Sequence, residues 1–375
     1  MTNVERIKSF LTELRRRKVW QIAAAYVVVG TMLTGAANDI LPRLNLPEWT
    51  VSFVVIITLL GFPIAMLLAW AYELRPDADA NKPPPVDTLG ASDQEIRFCT
   101  TTDGVRLAYS VIGTGPFLVR ALGHFTHLEM EWEWPALRRF WQLLAERNTV
   151  VRYDGRGIGL SDPYTGDFSE ETRQLDLDAV FDAAGIEKAT LLGISEGGWT
   201  AATYAIQHPE LITHLILYGA YCRGALARPG YDPQEDHALV TLIRKGWGRD
   251  TPEFRQIFTS QFFGSDADPG LIAHFNEMQR VSADPDTAAR YHLSCHKRGD
   301  ARDLFRQIRI PALIIHCRDD RAVSAEEGRL LASTIPGAQL VLLPSGAHFF
   351  PTEKEVLTKA AGAIARFLDG SKAPL

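Results

Sequence analysis

The chain has 375 residues, 46% of them hydrophobic and 22% charged, with a net charge of -6 at pH 7. That length leaves room for more than one domain and for a core large enough to serve an enzyme. The mild acidity argues against nucleic acid as a partner, because phosphate-binding surfaces carry a basic excess. The four cysteines, Cys99, Cys222, Cys295 and Cys317, are scattered without a C-x-x-C, which fits free thiols in a reducing compartment and gives no sign of structural zinc.

The first 75 residues read as a membrane anchor. "VERIKSFLTELRRR" sets Ile7, Phe10, Leu11 and Leu14 on one face of an amphipathic helix suited to an anionic surface. Residues 19–41 and 51–72 are each apolar on every face and long enough to cross ~30 Å of hydrocarbon at ~1.5 Å per residue, which predicts a transmembrane helical hairpin. Ala23, Ala24, Ala25, Gly30, Ala36 and Ala37 permit close helix packing, including between copies of the chain, and a neighbouring helix makes Pro63 tolerable. Trp20, Trp49, Trp70 and Tyr72 stand near the span ends, where amphipathic rings favour the interface. Arg6, Lys8, Arg15, Arg16, Arg17 and Lys18 precede the first span, whereas the loop between the spans carries only Arg43. The basic excess places the N-terminus in the cytoplasm, and an even number of spans returns the chain there. The expectation is therefore a multi-pass protein of the inner membrane, with its folded domain on the cytoplasmic side and the bilayer as a partner. Residues 76–92, proline-rich and acidic, read as an extended spacer.

From residue 93 onward strands and helices alternate. "EIRFCTTTDGVRLAYSVIG" predicts two strands around an Asp103–Gly104 turn, at one edge of the sheet. "PFLVRAL", "TVVRYD", "ATLLGI", "HLILYGA", "PALIIHC" and "QLVLLP" are short apolar runs separated in several places by helical stretches at 135–147, 170–184, 197–208 and 353–368. Such alternation predicts an α/β fold, a mostly parallel sheet with helices on both faces, with its site beyond the C-terminal ends of the strands. Residues 222–307 lack strand character and carry Trp247, Phe254, Phe258, Phe262, Phe263, Phe275 and Met278 at mostly helical spacing. They read as a helical lid inserted into a core formed by 93–221 and 308–375, with most of these side chains packing the lid and a minority lining an apolar substrate pocket.

"LLGISEGGWT" places Ser195 between Gly193 and Gly197 where a strand gives way to a helix, the context in which G-x-S-x-G presents a nucleophile. A serine hydroxyl needs a base, and the base needs an orienting acid. His348 follows the last strand, in "LLPSGAHFFPTEKE", and Asp319 and Asp320 end the strand "ALIIHC". The backbone amides of Glu196, next to the serine, and of His124, in the loop after "PFLVRAL", are the candidate oxyanion donors. "YDGRGIGLSD" lacks both G-x-G-x-x-G and a P-loop lysine and reads as a structural turn in which Asp154 and Arg156 tie loops together. His292 and His296 are spaced as on a zinc helix, but "HLSCH" lacks the glutamate that follows the first histidine, so neither a metal nor a cofactor is expected.

Residues 93–370 resemble the α/β-hydrolase superfamily, in which the acid follows a strand ending in G-x-x-D. The resemblance selects Asp320, with Cys317 in place of the glycine, and the order Ser195, Asp320, His348 is the superfamily's. More narrowly, "GHFTHLEMEWEWPALRRF", "VVRYDGRGIGLSD" and "LLGISEGG" resemble hydrolase modules found with bacterial class III adenylate cyclases, in which a tryptophan often stands where this chain has His124. The N-terminal hairpin is similar to a membrane segment of some bacterial cyclases and tetratricopeptide-repeat proteins. These resemblances imply an eight-stranded α/β-hydrolase fold and a serine hydrolase of carboxylic esters acting on a small-molecule substrate. The same parts would serve a lactonase, a thioesterase or a perhydrolase, and the alternative of another class is a non-catalytic receptor whose pocket binds a ligand and signals through the hairpin.

Overall fold

The computed structural model describes residues 26, 29–35, 37–38, 41, 43, 47, 49–73, 94–123, 125–264, 267–349 and 353–370, and within 49–73 the side chains as far as Pro63. The chain divides into two units, Met1–Leu89 and Gly90–Leu375.

In the first unit, residues 29–35 are helical and α1 spans Trp49–Glu73 with Pro63 inside it. Tyr26 joins the two, donating its hydroxyl to the Thr58 carbonyl at 2.9 Å and setting its ring edge-on to Phe62 at 5.5 Å. Gly30 allows this approach, since a Cβ there would lie 2.9 Å from the Thr58 methyl. The predicted amphipathic helix, most of the first predicted span and the 76–92 spacer lie outside the described residues. Among the described residues no helix is long and apolar enough to cross a membrane. The side chains described in α1, 49–63, would cover roughly 22 Å of a hydrocarbon core of about 30 Å. The two-span hairpin is thus not shown.

The second unit is built on an eight-stranded sheet of β1 Glu95–Thr100, β2 Arg106–Ile112, β3 Phe117–Ala121, β4 Thr149–Asp154, β5 Ala189–Ile194, β6 Ile212–Tyr218, β7 Ala312–Cys317 and β8 Gln339–Leu343. Their order is β1-β2-β4-β3-β5-β6-β7-β8. The β1–β2 and β2–β4 pairs are antiparallel and the others parallel, so the opening hairpin lies at one edge as its sequence indicates. Every residue of β5 and β7 is buried, which requires cover on both faces and explains their unbroken apolar runs.

The helices between strands carry recognisable start and stop chemistry. After α2 Leu128–Glu133 and α3 Pro135–Ala145, α4 spans Glu170–Ala184. The Ser169 hydroxyl accepts from the Thr172 amide at 3.4 Å at the start of α4, and Gly185, at φ 64°, ends it. Helix α5, Gly197–Gln207, follows β5 directly. Between β6 and β7 the chain forms α6 Pro233–Gly246, α7 Glu253–Thr259, α8 Pro269–Ser282, α9 Pro285–His296 and the single turn α10 Arg302–Phe305, in the region expected to be a helical lid. Trp247, Phe263, Phe275 and Met278 are buried in its packing. Helices α11, Ala325–Thr334, and α12, Lys354–Leu368, flank β8.

Two of these helices are absent from the sequence reading. Helix α2 is rich in charge, yet its Glu131 is buried and accepts from Arg120 at 2.6 Å and Arg152 at 3.0 Å. Both guanidiniums also face the Trp141 ring, at 5.6 and 5.3 Å. Helix α11 buries Glu327, which pairs with Arg223 of the β6–β7 insertion at 2.5 Å.

Candidate active site

Ser195 follows the last residue of β5, and its amide donates to the Tyr218 carbonyl of neighbouring β6 at 2.8 Å. Its φ is 54°, and among the described residues it is the only non-glycine residue with positive φ. The left-handed region costs an ordinary residue about 1–2 kcal/mol, so the surroundings must impose it. They do so by close approach. A Cβ on Gly193 would lie 2.6 Å from the Gly198 Cα and 2.8 Å from the Gly197 carbonyl, and one on Gly197 would lie 2.5 Å from the Leu122 carbonyl. With glycine at both places the strand can turn into α5 within a few residues and hold the serine hydroxyl at the strand end.

Three sequence-predicted residues meet there. Ser195 Oγ lies 2.7 Å from His348 Nε2, and His348 Nδ1 lies 2.8 Å from Asp320 Oδ2. All three are buried, at 8%, 1% and 8% exposure, which keeps bulk water from competing for these hydrogen bonds. The His348 loop follows β8, and the His348 amide donates to the carbonyl of Phe262, at 2.9 Å. Asp320 is fixed through its second oxygen, which accepts from the Ala322 and Val323 amides, each at 2.9 Å. Burial alone would raise its carboxyl. The charge of His348, hydrogen bonds from His316 and His348 and the Val323 amide outweigh that and hold it at about 2, so it is ionised at neutral pH. Asp319 is exposed.

The other sequence-predicted residues are distributed as follows. Glu196 stands at the head of α5 beside the serine, while His124 lies outside the described residues. The Glu196 side chain is buried rather than solvated and pairs with Arg173 at 3.3 Å. Arg173 also donates to Tyr291 at 3.2 Å and Ser294 at 2.9 Å on α9, and Arg298 donates to the Glu196 carbonyl at 3.1 Å. These contacts join the residue after the serine to the β6–β7 insertion. Asp154 and Arg156 tie loops together as expected: Asp154 accepts from Thr126 and the Leu128 and Leu160 amides, and Arg156 bridges Asp103 at 2.7 Å and Asp176 at 2.8 Å.

Sequence reasoning missed His316, which sits inside β7. It is wholly buried, with Nε2 2.9 Å from the Val323 carbonyl and 3.3 Å from Asp320 Oδ2. A histidine in an apolar strand four residues before a carboxylate was the available signal. The thiol in the family glycine's place, Cys317, is pushed up to about 12 by burial and is therefore not a competing nucleophile. All four cysteines are free.

The triad opens on a cavity of about 120 Å³. Its wall includes Ser195, Glu196 and His348, the insertion residues Phe258, Phe262, His292 and His296, and Arg228. Phe258 and Phe262 are thus the expected minority of aromatic side chains that reach the pocket. A buried hydroxyl bonded to an imidazole that is itself bonded to a carboxylate can be deprotonated as it attacks an electrophile.

The family described as Serine aminopeptidase, S33 matches residues 137–355, more than half of the chain. The human protein named Serine hydrolase BPHL is 26% identical over 284 residues, covering 73% of this chain and 87% of the relative. The AB hydrolase superfamily protein YisY of Bacillus subtilis is 29% identical over 225 residues, covering 58% and 80%. In fold, the chain is similar to an esterase from Exiguobacterium antarcticum, with a TM-score of 0.62 and 23% identity over 72% of this chain and 98% of that one. The sheet, the strand-end serine and these matches agree, and the chain belongs to the Serine aminopeptidase, S33 family of α/β-hydrolases.

Proposed function

We propose that this chain is a membrane-anchored serine hydrolase that cleaves carboxylic esters through an acyl-enzyme on Ser195. The observation that carries the reading is the relay from Ser195 Oγ to His348 Nε2 at 2.7 Å and from His348 Nδ1 to Asp320 at 2.8 Å, built on a serine held in the left-handed region. As Oγ attacks the ester carbonyl, its proton passes to Nε2, and Asp320 orients and stabilises the imidazolium. The oxyanion is received by the Glu196 amide and by that of His124. Collapse of the tetrahedral intermediate expels the alcohol oxygen, which takes the proton from Nε2, and water activated by the same imidazole then releases the acid and restores Ser195. Phe258 and Phe262 give the cavity apolar surface for a small to medium acyl group. The name of the human relative, a serine hydrolase, agrees with this nucleophile. A panel of p-nitrophenyl esters, lactones and thioesters offered to the full chain tests it. Turnover is expected on short-chain esters, whereas a folded chain that cleaves no member of the panel would favour the receptor reading.

The anchor rests on the apolar runs at 19–41 and 51–72, and on the exposure of apolar side chains among the residues described within them. Met32, Leu59 and Leu60 are 68%, 68% and 64% exposed, an arrangement that lipid would cover. Full-length protein is expected to stay in the membrane fraction after a salt wash and to require detergent for release, and protease outside intact cells should leave the hydrolase domain uncut. Intact chain in the salt-washed supernatant would refute the anchor.

A further inference from the structure

Outside the triad, two histidines of the cavity wall meet a carboxylate from a neighbouring helix. His292 and His296 lie one turn apart on α9, with rings 3.9 Å apart, and Asp236 reaches them from α6. His292 Nε2 is 3.2 Å and His296 Nδ1 2.8 Å from the same oxygen, Asp236 Oδ1, and the three potential ligand atoms all lie within 4.8 Å of one another. His296 Nδ1 is buried and, close as it is, not aligned for a hydrogen bond to the carboxylate. His292 Nε2 shares a hydrogen bond with Asp236 Oδ1, and a cation taken up among the three side chains would displace that proton.

The dimensions suit that role. Ligands held ~2.0–2.1 Å from a tetrahedral ion lie about 3.3 Å apart, close to the 2.8 and 3.2 Å found here. Two imidazoles and one carboxylate are the donor set of zinc-class ions, and three protein ligands leave a coordination position open. His292 and His296 line the cavity shared with Ser195 and His348, so an ion held by them would lie beside the substrate space. Arg228 also lines this wall. Its guanidinium stacks 3.9 Å over the Tyr221 ring and donates to the Arg223 carbonyl at 2.9 Å.

We propose that Asp236, His292 and His296 form a binding site for one divalent transition-metal ion in the wall of the Ser195 cavity, joining α6 to α9 and offering its free position to water or to an oxygen of the substrate. The site does not depend on the chemistry of Ser195. The test is titration of full-length protein, without an affinity tag and stripped by chelator, with Zn²⁺ by calorimetry and with Co²⁺ by visible absorption. One equivalent per chain is expected, with the intense cobalt bands of low coordination number. His296→Ala and Asp236→Asn should each weaken binding at least tenfold, with thermal unfolding showing both variants folded, while Ser195→Ala and His348→Ala should bind as the parent does. No stoichiometric uptake by the folded parent would overturn the site. So would unchanged affinity in both His296→Ala and Asp236→Asn, or loss of the ion in His348→Ala, which would place the metal on the triad.

Discussion

Ser195→Ala is expected to lower kcat on a short-chain p-nitrophenyl ester by up to ~10⁶, the loss found when the nucleophile of a serine triad is removed. The melting temperature should move by only a few degrees. The substitution deletes one buried hydroxyl and its 2.7 Å contact with His348, but leaves the turn, which Gly193 and Gly197 make sterically feasible. A net hydrogen bond is worth about 0.5–1.5 kcal/mol. Activity measured beside thermal unfolding separates lost chemistry from lost structure. Comparable kcat in a well-folded Ser195→Ala would remove the nucleophile from the account.

The second large effect distinguishes two adjacent carboxylates. Asp320→Asn keeps the shape of the side chain but removes the charge that faces His348 Nδ1 at 2.8 Å, and an amide presenting N–H there favours the wrong imidazole tautomer. Turnover is expected to fall by up to ~10⁴, whereas Asp319→Asn, at an exposed position, should stay within a few-fold of the parent. Asp320 also has a stability signature. Its folded carboxyl is held at about 2, below an ordinary value of about 3.9. The unfolded chain therefore takes up the proton first, and the contribution is complete above about pH 4 and lost as pH falls towards 2. Acid unfolding of the parent should show this loss, and Asp320→Asn should not. A reversal of the two kinetic effects would move the acid to Asp319.

Local rules made much of the fold legible. Helix α4 was readable at its true bounds because Ser169 caps it and Gly185 stops it, and β5 and β7 because a strand buried on both faces must be apolar throughout. The serine and histidine were legible from position, one at a strand-to-helix turn and the other after the last strand. The choice of Asp320 over Asp319 came from family resemblance, since a one-residue difference at a strand end leaves no mark in composition or periodicity. What stayed hidden depends on partners distant in sequence. The charges of α2 disguise a helix because Glu131 finds Arg120 and Arg152 on β3 and β4, and α11 buries Glu327 only because Arg223 meets it from the insertion. Arg173 gives no local sign of reaching Glu196 and α9 at once. The histidines of "HLSCH" were visible, but their carboxylate lies 56 residues upstream of His292 on another helix, and no motif spans that distance.

The most direct test of the central claim is covalent. A fluorophosphonate probe reacts with a serine only where a neighbouring base and oxyanion donors activate it, and the adduct it leaves reports which one. Digestion and mass spectrometry of the labelled full-length protein are expected to find a single phosphonylated peptide, the one containing "GISEGG", with the adduct on Ser195. Labelling should disappear in His348→Ala as well as in Ser195→Ala. A folded parent chain that resists the probe, or one that carries the adduct on a different serine, would contradict a nucleophile at Ser195.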